Sequence, residues 1–177
     1  MAAYPESDIP IEKLFRLDVY IRPLTENDAQ LIIDFFNSFS DQTRFFFTPH
    51  EIVPDSLKWM VKEIPNDKNY SRFMAGIIDN GTEIMVGYVF FWDWLKKIPW
   101  FGIGVRDAYQ GMGLGNKLMK FAIDYARKSG KGGILLTTKK SNIRAQAIYK
   151  KFGFKTIGED FGGEYLLILN FGDEGNG

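Results

Sequence analysis

The hydrophobic and polar positions of the first third of the chain predict one strand followed by two helices. Residues 17–22 alternate apolar and polar side chains, as a half-buried strand does. Apolar residues at helical spacing predict a helix that starts after residues 25–28 and ends near Ser38, and a second helix over 54–64. The polar and aromatic residues at 41–49 show neither period, so we expect a loop there.

The rest of the chain is dominated by strand patterns. Two runs of β-branched and aromatic residues, 71–78 and 83–92, flank Asn80-Gly81, which is a strong hairpin signal. Amphipathic periodicity predicts helices at 113–128 and 142–152, which Gly130 and Gly153 are placed to end. Short apolar runs predict four further strands, at 99–105, 133–138, 154–157 and 164–171.

These elements predict an α/β fold of the mixed α+β kind. We expect a central, mostly antiparallel mixed sheet of about six to seven strands with about four helices. The 177 residues, 45% hydrophobic and 25% charged, fit one globular domain with a substantial core. We therefore expect a single domain over 1–177, with its core at 17–171 and flexible ends at 1–12 and 172–177.

Charge and cysteine content exclude several function classes. Lys and Arg number 22 and Asp and Glu number 22, and this neutral balance argues against nucleic acid as the main partner. The absence of cysteine excludes disulfides, thiolate zinc sites and thiol nucleophiles, and no metal site is predicted. Because no apolar run reaches signal-peptide or membrane-spanning length, we expect a cytoplasmic protein without a membrane partner.

The strongest local signal is a glycine-rich turn between a predicted strand and a predicted helix. Glycines let backbone N–H groups approach a ligand closely, and the start of the helix adds unpaired donors and a positive dipole end, so the turn suits a phosphate or pyrophosphate. Neither the dinucleotide fingerprint, whose third glycine would fall at Asn116, nor the phosphate-loop motif matches. The predicted anion-binding residues are Gln110, Gly111, Met112, Gly113, Leu114, Gly115 and Asn116.

Two motifs resemble those of the GNAT acetyltransferase superfamily. The first is Gln110-x-x-Gly-x-Gly115 between strand and helix, and the second is Asn142-x-x-Ala-x-x-x-Tyr149 followed by Gly-Phe. They occur in the family's order, separated by one helix and one strand. The resemblance implies a GNAT-like fold and transfer of an acetyl group, or a longer acyl group, from its coenzyme A thioester to an amine.

The resemblance also implies where acetyl-CoA binds. The backbone of 111–116 would hold the pyrophosphate. The strand at 99–105 is implied to carry a bulge and to splay from the strand at 133–138, so that Ile103 and Val105 contact the pantetheine arm through their backbone groups. Gly104 and Gly102 would leave room for this arm because they have no side chain.

Asn142 and Tyr149 are the implied side-chain contacts. They lie seven residues apart, about 20° short of two helical turns and about 10 Å along the axis, so one cofactor can touch both. The resemblance implies that Asn142 binds the pantetheine arm and that the Tyr149 hydroxyl protonates the departing thiolate. The alternatives are a helix N-cap for Asn142 and a half-buried tyrosine with a wet hydroxyl for Tyr149.

The general base is left open. Relatives often place a carboxylate or an ordered water beside the glycine-bearing strand, and this chain has Pro99-Trp-Phe101 there. Asp93, Glu83 and His50 are candidates, each also explained as a surface charge or, for His50, a loop or core histidine. A water-relayed proton is the remaining alternative.

The sequence gives less information about the acceptor and the partners than about the acyl donor. Six aromatics lie in segments that would surround the acceptor, and we expect two or three of them to line a pocket: Phe45, Phe46, Phe47, Trp92, Trp94 and Trp100. The acceptor is a small molecule or a protein. The apolar strand near 166–171 is compatible with a homodimer or with closing the monomer's own sheet. A non-catalytic acyl-CoA-binding module is the runner-up function, and a nicotinamide or flavin oxidoreductase rests on the glycine turn alone.

Overall fold

The chain folds around one mixed sheet of seven strands in the order β1-β2-β3-β4-β5-β7-β6. The structure is a computed structural model, and it describes residues 18–47, 49 and 53–172. Neighbouring strands are antiparallel except β4 and β5, so the predicted mixed sheet is confirmed. The strands are β1 (Tyr20–Pro23), β2 (Tyr70–Asp79), β3 (Thr82–Trp92), β4 (Trp100–Val105), β5 (Gly133–Thr138), β6 (Lys155–Glu159) and β7 (Tyr165–Asn170).

Five α-helices cover the two faces of the sheet in the described part of the chain. They are α1 (Ala29–Asn37), α2 (Asp41–Phe46), α3 (Pro54–Lys62), α4 (Leu114–Lys128) and α5 (Ile143–Lys151). Helix α2 lies where a loop was predicted. Its start is capped by Ser40, whose hydroxyl accepts a hydrogen bond from the Thr43 amide at 3.3 Å. Because none of its six residues is buried, α2 leaves no apolar period in the sequence.

The hairpin between β2 and β3 forms at the predicted turn. Asn80 and Gly81 both have positive φ, 49° and 80°, as a tight two-residue hairpin turn requires. The β2–β3 ladder that follows has one irregularity, between Ala75 and Gly76. The turn and this irregularity together set the register that places the aromatic residues of β3.

The sheet has a separate apolar core on each face. On one face, α1 and α3 pack against side chains such as Met74 and Tyr88. On the other face, α4 and Tyr149 of α5 pack against Phe101 and the buried residues of β5. In the part of the chain that is described, we find no helix long and apolar enough to cross a bilayer.

Strands β4 and β5 separate soon after they begin. They pair only at Trp100 and Leu135, where the Leu135 amide donates to the Pro99 carbonyl at 3.0 Å. Beyond this point the two parallel strands make no further pairs, which confirms the predicted splay. The gap opens toward the carboxyl ends of both strands.

The bulge predicted in β4 is wrong. Its register with β3 runs without a shift from Gly87–Val105 to Trp92–Trp100. The glycines of β4 have another role, because a Cβ built on Gly102 would lie 2.2 Å from the ring of Phe90. Aromatic rings therefore occupy the space that the missing side chains leave free.

Replacing Gly102 with alanine is expected to destabilise the fold. The added methyl group must displace the Phe90 ring, and overpacking of this kind costs about 2 kcal/mol, or about 5 °C in Tm. Thermal unfolding followed by circular dichroism measures the change. Gly158→Ala is the matched control, because its Cβ meets no atom within 4 Å. Equal melting temperatures for both variants would contradict the packing role of Gly102.

Candidate functional site

The gap between β4 and β5 exposes a row of backbone groups. The Arg106 amide donates to Val86 of β3, so alternate residues of β4, including Gly104, direct their N–H and C=O groups at β3. Ile103 and Val105 have the opposite orientation and face the gap. On the other side, Thr137 faces the gap because Leu135, two residues earlier, donates toward β4. An extended amide chain can pair with these groups as an added strand would.

Gly104 borders the gap, where the family resemblance implied that it gives clearance to the pantetheine arm. A Cβ at this position would lie 2.5 Å from the ring of Phe47. The clearance given by Gly104 is thus filled by an aromatic side chain on the face of the sheet that carries α1. The backbone of β4 remains the part that is open to a ligand.

The glycine-rich turn leads from β4 into α4 with an open space above it. Gly111 and Gly113 have φ of 79° and 84°, and Gly113 is the N-cap of the fifteen-residue helix. A Cβ on Gly113 would meet no atom within 4 Å, so the first N–H groups of α4 are accessible. Leu114 and Leu118 are buried and anchor the helix below the turn. This geometry fits a pyrophosphate.

The remaining residues of the predicted anion site have distinct positions. The Met112 side chain is 40% exposed. Gly115 lies inside the first turn of α4, and the Asn116 side chain accepts a hydrogen bond from Lys151 at 3.2 Å. Lys117, a nearby cation, donates instead to the carbonyl of Val19 at 2.6 Å and is directed away from the turn.

Gln110 ties the turn to its surroundings. Its amide nitrogen donates to the Val105 carbonyl at 3.0 Å, to Asp107 Oδ1 at 3.0 Å and to Thr43 Oγ1 at 3.1 Å. The side chain therefore shapes the turn and also connects it to α2.

The structure adds Arg144 to the candidate site, a residue that the sequence reasoning missed. Its guanidinium donates to Gln110 Oε1 at 3.4 Å and lies over Gly111, where a Cβ would be 3.0 Å from Nη2. Arg144 occupies a variable position of the Asn142-x-x-Ala motif. Only the packing of α5 against the turn shows that this cation faces the predicted phosphate.

Tyr149 lies on the same face of the sheet as Ile103 and Val105. Its side chain is 9% exposed and packs against Phe154 with ring centroids 5.7 Å apart. Burial raises the pKa of the Tyr149 hydroxyl to about 12. Among the described residues, this hydroxyl has no hydrogen-bond partner. It is therefore a protonated donor that no described residue of the chain engages.

Asn142 forms the N-cap of α5, which is the alternative to the pantetheine contact given for it in the sequence analysis. Its Oδ1 accepts from the Ala145 amide at 3.2 Å. The side-chain nitrogen makes no hydrogen bond with the described residues, so it is available to a carbonyl of a ligand. The cap and the binding role are compatible because they use different atoms of the carboxamide.

The face of the sheet opposite Tyr149 carries the aromatic residues. Phe47 stacks on Phe36 and covers Gly104, while Phe45 is 59% exposed. Lys139, directly after β5, lies 4.8 Å from the Phe45 ring centroid and 3.3 Å from Glu164 Oε1. The end of α2 and the end of β5 therefore meet across the gap.

The tryptophans divide between the two faces. Trp92 and Trp100 stack with ring centroids 5.5 Å apart, on the aromatic side of the sheet. Trp94 packs against Tyr125 of α4 on the other side, with Lys131 over its ring. Trp94 is therefore part of the α4 core. This separates it from the other candidate acceptor aromatics.

The structure places two base candidates away from the gap. Asp93 pairs with Lys96 at 2.6 Å, and the hydrogen bond from this lysine lowers the pKa of the carboxyl, which makes Asp93 a weaker base. Glu83 lies at the β2–β3 hairpin, about 13 Å along β3 from the residue that pairs with Val105, and it binds Arg22 at 3.1 Å. His50 lies outside the described residues.

Comparison with known proteins gives sequence matches over parts of the chain. Over 57 residues the chain is 40% identical to the N-alpha-acetyltransferase RimI of Mycobacterium tuberculosis, which covers 32% of this chain and 34% of that protein. The chain spans less than half the length of the first curated relatives that it matches.

Solved structures match over most of the chain. The ribosomal-protein-S5-alanine acetyltransferase of Vibrio fischeri has a TM-score of 0.73 at 17% identity and covers 88% of this chain and 94% of its own. A spermidine N-acetyltransferase of Vibrio cholerae, solved with CoA and spermine, has a TM-score of 0.69 at 20% identity, with 86% and 95% covered. These two likenesses show a shared fold.

The family model described as the Acetyltransferase (GNAT) family matches residues 32–154. The match covers more than half of the chain, from α1 to the residue before β6. It includes the splayed strands, the glycine-rich turn and the helix that carries Tyr149. The chain belongs to the GNAT acetyltransferase family.

Proposed function

We propose that the protein is an N-acetyltransferase that transfers an acetyl group from acetyl-CoA to a primary amine. The observation that carries the proposal is the row of backbone groups at Ile103, Val105 and Thr137 that face the gap and pair with no neighbouring strand, although the Val105 carbonyl accepts a hydrogen bond from Gln110. This row lies next to the open glycine-rich turn, and Tyr149 lies on the same face of the sheet as Ile103 and Val105. The arrangement fits a pyrophosphate followed by an extended amide chain with a thioester at its end.

Four groups of this chain would bind acetyl-CoA. The backbone N–H groups of 111–116 receive the pyrophosphate, and Arg144 adds a positive charge beside it. Ile103 and Val105 pair with the amide arm, and the Asn142 side-chain nitrogen donates to one of its carbonyls. When bound, acetyl-CoA supplies an activated acetyl thioester.

Tyr149 is the proposed general acid. The amine nitrogen forms a bond to the acetyl carbon, the carbon–sulfur bond breaks, and the sulfur receives the proton of the Tyr149 hydroxyl. The phenolate regains a proton from the nitrogen, directly or through water, so the products are an amide and a thiol. Because the chain contains no cysteine, no acyl-cysteine relay is available, and transfer is direct within a ternary complex.

Deprotonation of the amine before attack is assigned to water. The two described candidates among the carboxylates are engaged in ion pairs away from the gap. An alkyl ammonium has a pKa near 10.4, so a small neutral fraction is present at neutral pH and rises tenfold with each pH unit. A water molecule that carries away the ammonium proton is sufficient for this step. The reaction is then expected to become faster as the pH rises.

The acceptor is a primary amine of a small molecule or a protein. Related proteins are named for both classes: the S5-alanine enzyme for a ribosomal protein and the Vibrio cholerae enzyme for spermidine, while RimI is named for N-alpha-acetylation. The aromatic face formed by Phe45, Phe47, Trp92 and Trp100 suits an acceptor with an apolar body next to its amine. We also propose that the protein acts in the cytoplasm, where acetyl-CoA and such amines meet.

A thiol-release screen tests the proposal. Purified protein is mixed with acetyl-CoA and panels of polyamines, amino acids, aminoglycosides and peptides with free N-termini, and free CoA thiol is measured. Release that depends on one amine class, together with the acetylated product in mass spectra, is the expected result. Binding of CoA with no amine-dependent release would indicate a non-catalytic acyl-CoA-binding module. Binding of NAD in place of CoA would contradict both.

The raised pKa of Tyr149 predicts the form of the pH profile. A pKa of about 12 keeps the phenol protonated over the assay range, so the acid is competent throughout. We expect kcat/KM to rise with pH from about pH 6 to about pH 10, following the neutral fraction of the amine, with no descending limb. Initial rates across this range, with circular dichroism to check folding, measure it. A descending limb that disappears in Tyr149→Phe would contradict the prediction.

A further inference from the structure

Helix α2 is held to the rest of the protein mainly by polar contacts. It has six residues and none of them is buried. Arg44 donates to the carbonyls of Phe39 and Phe36, which fixes the start of the connection from α1. A second polar attachment is to the loop that leaves β4. A short helix with so little buried surface has low local stability, so its position depends on these contacts.

Asp107 is the centre of the second attachment. Its Oδ2 accepts the Ser40 amide at 2.5 Å, and its Oδ1 accepts the Thr43 hydroxyl and the Gln110 side-chain amide. Ser40 is the N-cap of α2 and Thr43 lies in its first turn, whereas Gln110 opens the glycine-rich turn. One carboxylate thus joins two segments that are 67 residues apart in sequence.

The same network reaches the phosphate side of the site. Gln110 also binds the Val105 carbonyl and accepts a hydrogen bond from Arg144, which lies over Gly111. An anion bound above Gly111 would attract the Arg144 guanidinium and hold the turn in one conformation. Holding Gln110 in place also fixes its side-chain nitrogen, which donates to Asp107 and Thr43.

Helix α2 in turn carries the aromatic residues nearest the gap. Phe47 follows its last residue and covers Gly104, and Phe45 contacts Lys139 at the end of β5. A displacement of α2 would move both rings relative to β4 and β5. The hydrogen bonds of Asp107 therefore link the place where a phosphate would bind to the place where an amine would bind.

We propose that Asp107 is a positioning residue that couples acyl-CoA binding to the placement of α2, and with it Phe45 and Phe47, on the acceptor side. The inference rests on the proposed function, because it takes the glycine-rich turn as the phosphate site. Bound acyl-CoA stabilises one position of α2. In that position α2 makes hydrogen bonds with a fixed Gln110, and other positions of α2 lack these bonds.

Hydrogen exchange with CoA as the probe tests this coupling. In the unmodified protein, CoA is expected to slow exchange at 110–118 and, by about tenfold, at 40–47. In Asp107→Ala the effect at 110–118 persists while the effect at 40–47 falls below about twofold. Thr43→Val gives the same loss, and Thr43→Ser, which keeps the hydroxyl, restores it. Asp124→Ala, which removes an exposed carboxylate paired with Lys120 on α4, behaves like the unmodified protein.

The outcomes separate this inference from the proposed function. Protection of 110–118 by CoA without protection of 40–47 in the unmodified protein overturns the coupling alone. Equal protection of 40–47 in Asp107→Ala and in the unmodified protein also overturns it. No protection of either segment by CoA overturns the proposed function itself. If Asp107→Ala fails to fold, the Thr43→Val and Thr43→Ser pair gives the same decision.

Discussion

Turnover of Tyr149→Phe is expected to fall below about 5% of the unmodified protein, while the affinity for CoA changes by less than about twofold. The substitution keeps the buried ring against Phe154 and removes only the hydroxyl, which has no hydrogen-bond partner among the described residues. The fold therefore loses little, whereas the leaving thiolate loses its acid. Steady-state kinetics and calorimetric titration with CoA measure the two quantities separately.

Tyr125→Phe is the matched control for this experiment. Tyr125 also packs in the α4 core, and its hydroxyl lies 3.4 Å from that of Ser71, away from the gap. We expect this variant to retain at least about half of the turnover, because it removes a hydroxyl without removing an acid. Unchanged turnover in Tyr149→Phe would remove Tyr149 from the mechanism. A loss that is equal in both variants would point to a general effect of the mutations.

The second large effect is expected at the start of α4. Alanine at Gly113 must adopt a φ of 84°, which costs about 1 kcal/mol, and its methyl group projects into the open space above the turn. Both effects disturb the N–H groups that would hold the pyrophosphate. We expect the Kd for CoA to rise by about 30-fold, or about 2 kcal/mol, in a calorimetric titration.

The opposite end of α4 provides the control. Gly130 also has positive φ, 73°, and a Cβ built on it meets no atom within 4 Å. Gly130→Ala should lose about as much stability as Gly113→Ala, about 1 kcal/mol in urea unfolding, with no change in CoA affinity. Similar weakening of CoA binding by both substitutions would mean that Gly113 acts through stability and not through the phosphate site.

Much of the fold follows from local signals in the sequence. The Asn80-Gly81 dipeptide predicts a turn because few other residues tolerate positive φ at two successive positions. The stripe on α4 is visible because one side of that helix is buried along its whole length. The gap between β4 and β5 was expected only through the family resemblance, since the apolar pattern of a strand does not show where its partner ends.

The features that sequence reasoning missed depend on contacts between distant segments. Helix α2 has no buried residue, so its apolar pattern is lost, and Arg144 is recognisable only once α5 packs beside Gly111. Trp94 was grouped with Trp92, two residues earlier. It lies on the other face because the chain has left β3 and turns at Asp93, which has a φ of 54°.

The packing of Phe47 over Gly104 has a consequence for how acceptor preference can evolve. On the aromatic side of the gap, the Phe47 ring directly after α2 covers β4, while the donor side is built from β4, the glycine-rich turn and α5. A smaller side chain at this position uncovers the backbone of β4 without changing any group assigned to acetyl-CoA. Substitutions at the end of α2 can therefore change which amine is accepted, while the groups that act on the thioester stay the same.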